Sequence, residues 1–101
     1  MKLLLITAVA EFEKDVKQIL KNANVKAYSY KEVMGYQNAS EEVIGSNWFG
    51  SEMNEKESIM FYVFVENDSV DAVCEAIDIF NKKQETQSHI HFTILTVEKS
   101  N

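Results

Sequence analysis

The chain has 101 residues, with sixteen acidic side chains against ten lysines, no arginine and a net charge of −6. That length supports one domain around a single modest core. A nucleic-acid binder is expected to show a basic face with guanidinium forks, and this acidic chain has no arginine, so nucleic-acid binding is set aside.

The first element, Lys2 to Val9, is apolar at nearly every position, and Ile6, Thr7 and Val9 are β-branched. This predicts a strand buried on both faces. The opening MKLLLITAVA has the look of a leader, but EFEKDVK follows at once with no small-residue cleavage region. No apolar run approaches the ~20 residues that cross a bilayer. Direct membrane insertion is therefore not expected, and the expected compartment is the cytoplasm.

From Glu11 to Ala23 the period becomes helical: Phe12, Val16, Ile19, Leu20 and Ala23 share a face, with acids early and lysines late. Asn24 suits a left-handed close to that helix. Val25 to Tyr36 reads as a second strand, with Tyr28 and Tyr30 on one side and Ala27 and Ser29 on the other. Residues 37 to 57 carry no sustained pattern. Ser58 to Glu66, SIMFYVFVE, gives the strongest strand signal in the chain. Asn67 or Asp68 is expected to cap a second helix with the stripe Val70, Val73, Cys74, Ile77 and Phe80. After the polar link NKKQETQS, His89 to Val97 forms a last strand.

The order βαββαβ is the split βαβ, or ferredoxin-like, arrangement. It is an α+β fold in which two helices cover one face of a four-stranded antiparallel sheet. Ile59, Phe61, Val63 and Val65 oppose Met60, Tyr62 and Phe64, while Leu3 and Leu5 oppose Leu4 and Ile6. Whichever set meets the helices, the other set makes an apolar sheet surface. Burying one such side chain is worth ~1.5–3 kcal/mol, and soluble monomers rarely leave several exposed in one patch. A cover is expected, most economically another copy of the chain. The alternative cover is the long loop, folded back.

Catalytic patterns are scarce. GxSxG, P-loop and HExxH motifs are absent. His89 and His91 flank Ile90, so strand alternation puts both imidazoles on one face. With a third ligand they could hold a divalent metal, and without one they are structural or interfacial. Cys74 is the only cysteine, which excludes an intramolecular disulfide and a CxxC motif. Its place on a helical stripe marks it as a small hydrophobe.

The loop of residues 37 to 57 remains. It carries five glutamates against one lysine and so holds most of the net charge. Trp48, the only tryptophan, and Phe49 stand between Gly45 and Gly50. Long irregular segments in small domains are commonly functional or disordered. A rigid aromatic can anchor in a partner's pocket, or it can tuck beneath the loop as a local core.

YKEVMGYQN, the long insertion after it, and the third strand running into VENDSVDAVCEAI together resemble the PII-like signalling proteins, relatives of the nitrogen regulatory protein P-II. The segment EVMGYQ is similar to that family's strand end, and ENDSVDAVCEAI to its turn into the second helix. The resemblance implies a homotrimer with its sheets facing inward. It also implies a small effector, often an adenine nucleotide, in the cleft between neighbouring copies. The loop would then report occupancy to a target, frequently a membrane transporter or efflux protein. On this reading Gly35, Tyr36 and Gln37 lie beside the cleft, and Trp48 and Phe49 lie towards the tip of the partner-binding loop. The link NKKQETQSHI lacks the glycines of the family's phosphate loop, so its amides are less able to wrap a phosphate. Lys82, Lys83 and Lys99 are the residues left to meet an adenine nucleotide or another small anion.

The resulting expectation is a non-enzymatic regulator. The alternatives are a ferredoxin-like monooxygenase that dimerises through its sheets, and a divalent-cation-binding trimer using His89 and His91.

Overall fold

The structure is a computed structural model that describes residues 1–36, 55–85 and 88–101. Strand β1 is Lys2–Val9. One 3-10 turn, Ala10–Phe12, leads into helix α1, Glu13–Asn22. Strands β2 and β3 are Ser29–Tyr36 and Glu55–Val65. Helix α2 is Asn67–Lys82 and strand β4 is His91–Thr96. The strands form one antiparallel sheet in the order β2-β3-β1-β4. This is the ferredoxin-like order expected from the sequence.

The apolar faces follow strand alternation. Leu4, Ile6 and Ala8 of β1 and Ile59, Phe61, Val63 and Val65 of β3 are buried on the helix side. They pack with Val16 and Leu20 of α1 and with Val70, Val73 and Ile77 of α2. Phe12 and Phe80 meet edge to face at 5.0 Å and tie the start of α1 to the end of α2. Tyr28 and Tyr30 flank Phe61, with centroids at 5.6 Å and 5.3 Å. The placement of both tyrosines on one side therefore holds.

Several element ends differ from the sequence expectation. The second strand starts at Ser29 rather than Val25, because a turn occupies the residues just after α1. Asn24 takes the left-handed conformation, with φ 64°. The Val25 N–H donates to Leu20 O and the Asn24 N–H to Lys21 O, each at 3.0 Å. These two bonds are the six-to-one and five-to-two pair of a Schellman close. The third strand begins at Glu55, which shortens the expected loop at its far end. The second helix includes both Asn67 and Asp68, and extended Glu66 stands at its cap position without a side-chain hydrogen bond. Last, β4 begins at His91 rather than His89. Ahead of it, the Asn81 side chain holds Ile90 from both sides. Asn81 Nδ2 donates to Ile90 O at 2.9 Å, and the Ile90 N–H donates to Asn81 Oδ1 at 2.8 Å. This mimics one rung of strand pairing and fixes the end of α2 to the start of β4.

The register shows what the sheet presents on its other face. Leu3 pairs with Phe64 and Leu95, and Leu5 with Tyr62 and Thr93. Phe64 is 56% exposed and Leu95 41%, while Leu3, Leu5, Met60 and Tyr62 are half-buried. Within one chain this apolar strip across β1, β3 and β4 retains contact with solvent.

Candidate functional site

The sheet sorts the sequence-chosen residues by position. Strand β2 lies at one edge and ends at Gly35, which is buried, and Tyr36, which is 63% exposed. Lys82 and Lys83 are exposed at the end of α2. The bonds from Asn81 to Ile90 place that helix end beside β4, at the opposite edge. Both groups sit towards the Val9 end of the sheet, because β2 and α2 both run in that direction. Three strand spacings of about 4.8 Å separate their edges. Lys99, also exposed, follows β4 at the other end, beyond the Lys2–Thr96 pairing. One chain therefore does not bring Gly35 and Tyr36 together with Lys82, Lys83 and Lys99 around a small ligand. Gln37, Trp48 and Phe49 lie outside the described residues.

His91 opens β4 opposite Thr7, on the sheet face away from the helices. Burial first, and then the charge of nearby His89, hold its imidazole below the ordinary value of 6.5. Among the described residues no group of three His, Cys, Asp or Glu side chains is arranged to hold a metal ion. Cys74 is half-buried rather than fully buried. Burial, then Asp78 and Asp71, push its thiol up from its ordinary value, which keeps it protonated near neutrality.

One arrangement was missed at the level of sequence. A surface depression of about 400 Å³ lies between α1 and the segment that leads into β2, lined by Lys14, Lys17, Lys21, Lys26, Val25 and Tyr28. The signal was present in the spacing of Lys14, Lys17 and Lys21, which places them on one face of α1. Lys17 is held in place: its Nζ donates to Glu13 Oε2 at 2.8 Å and to the Tyr30 hydroxyl at 3.1 Å, and lies 4.3 Å from the Tyr30 ring centroid. Those two hydrogen bonds raise its pKa above the ordinary lysine value. Among the described residues no helix is long and apolar enough to cross a membrane.

Two solved structures share this architecture across almost the whole chain. One is CPII, a nitrogen regulatory PII-like protein from Thiomonas intermedia K12, bound to ADP, AMP and bicarbonate. It is 16% identical, with a TM-score of 0.64, over 99% of this chain and 94% of that one. The other is a DUF3240 family protein from Shewanella baltica OS155, 14% identical with a TM-score of 0.68, over 99% of this chain and 92% of that one. No family model matches the chain, and no curated protein matches it in sequence. At such identities the likeness is one of backbone architecture alone. The chain carries the same fold as these two proteins.

Proposed function

We propose that the chain is a small non-enzymatic regulatory protein that works as a homotrimer in the cytoplasm and binds a small effector between neighbouring copies. The observation that carries this reading is the apolar strip of Leu3, Leu5, Met60, Tyr62, Phe64 and Leu95 on a PII-like sheet. Water contact on such a strip is unfavourable by roughly 25 cal/mol per Å², and cyclic assembly removes it without a second gene product. Assembly also answers the separation of the candidate residues. A neighbouring copy can set its Lys82 and Lys83 edge beside the Gly35–Tyr36 edge, which one chain cannot do alone.

The effector class is supported by the ligands of CPII, which holds ADP, AMP and bicarbonate. An adenine nucleotide or a small anion is accordingly the first class to test. The acidic segment of residues 37 to 57, read from the sequence as a loop and carrying Trp48 and Phe49, is the one we assign to partner docking. The family resemblance suggests a membrane transport or efflux protein as its target.

Native mass spectrometry of gently purified protein tests copy number and retained ligand together. The expected result is three copies, with ADP, AMP or bicarbonate taken up on addition. Tyr36→Ala should weaken ADP binding roughly fivefold, a loss of about 1 kcal/mol, with the trimer intact. Two copies would favour the sheet-paired monooxygenase instead. Three copies that bind zinc through His89 and His91, and no nucleotide, would favour the cation-binding reading.

A further inference from the structure

Four of the ten lysines gather around the α1 depression. Lys14, Lys17 and Lys21 follow each other at spacings of three and four along the helix, and the Schellman turn at Asn24 carries Lys26 back to the same place. Among the described residues no carboxylate lines the depression. Glu13 compensates Lys17 from the side, and among the described residues Lys14, Lys21 and Lys26 have no such ion pair. Lys14, Lys21 and Lys26 stand exposed around the depression, and Lys17 between them is neutralised by Glu13 at 2.8 Å. In a chain of net charge −6, such a concentration of cations calls for an anion from outside.

The chemistry narrows the ligand. Lysine ammonium groups act as point charges, and several around one depression suit a multiply charged anion, with phosphate a standard partner of lysine. The depression, about 400 Å³ and open to solvent, has room for phosphate groups at the surface, and Val25 and Tyr28 give it an apolar side. The site lies on the helix side of the sheet, away from the strip that assembly would cover. It is also at the opposite end of β2 from Gly35 and Tyr36, a strand of eight residues that spans about 26 Å.

We propose that this depression binds the phosphate groups of a small soluble polyphosphate, at a site separate from any cleft between copies. Lys14, Lys21 and Lys26 supply the charge, and Lys17, fixed by Glu13 and Tyr30, forms one wall.

The test is calorimetric titration of the full chain, in whatever assembly it adopts, with sodium tripolyphosphate at low salt. Saturable binding that weakens as salt is raised is expected. The triple variant Lys14→Gln, Lys21→Gln, Lys26→Gln should lose about tenfold or more in affinity, with an unchanged thermal transition. Lys21→Gln alone should lose part of it. The control Lys31→Gln removes an exposed charge outside the depression and should keep wild-type affinity, which separates this site from a general charge effect. An absence of saturable binding, wild-type affinity in the triple variant, or an equal loss in the control would each overturn the proposal.

Discussion

Asn81 and His91 show how much single side chains near the start of β4 decide. Asn81 satisfies both backbone groups of Ile90, a residue only 2% exposed. Removing the amide leaves a buried N–H and C=O unpaired, so Asn81→Ala should lower stability by about 2 kcal/mol. Urea unfolding checks this, and a change below about 0.5 kcal/mol would show that water replaces the amide. His91 acts through protonation. Its folded-state pKa lies below 6.5, so the unfolded chain takes up the proton more readily. Stability should therefore fall as pH drops from about 6.5 through the lowered folded value, and be retained above it. His91→Gln should flatten that part of the stability–pH curve. An unchanged slope would assign the acid sensitivity to carboxylates instead. Neither residue's role was legible in sequence, since the Asn81 bonds depend on how α2 meets β4 and the surroundings of His91 on its register opposite Thr7 in the sheet.

Elements, by contrast, were largely readable. The period change between Val9 and Phe12 marked the start of the first helix, and SIMFYVFVE marked the central strand. Asn24 was identified as a left-handed close from its residue type alone, and its φ of 64° agrees. The errors lie at ends where backbone bonds override side-chain preference. Val25 looked like strand but caps α1, and Glu66 rather than Asn67 or Asp68 stands at the cap of α2. Asn24 yields a prediction for α1: Asn24→Gly should leave stability almost unchanged, while Asn24→Val should cost about 1–2 kcal/mol. Thermal unfolding of both variants measures it. The lysine row on α1 was equally present in the sequence, but its meaning required the turn that brings Lys26 to it. Candidate residues from the resemblance were placed by the fold at two edges and two ends of the sheet, a separation that no one-dimensional spacing reveals.

For the whole molecule, one sheet face is packed and the other retains an apolar strip. Phe61, at the centre of the packed side, is fully buried, and Phe61→Ala should cost about 3–5 kcal/mol. Phe64, three residues on and on the other side, is 56% exposed in the single chain. Phe64→Glu should leave the fold intact and disrupt assembly. Light scattering on the wild-type chain at micromolar concentration measures the copy number directly. Three copies, about three times the 11.6 kDa of one chain, are predicted, with Phe64→Glu reduced to one. A wild-type chain that stays folded and single at that concentration would show that the strip tolerates water, and the regulatory trimer would have to be abandoned.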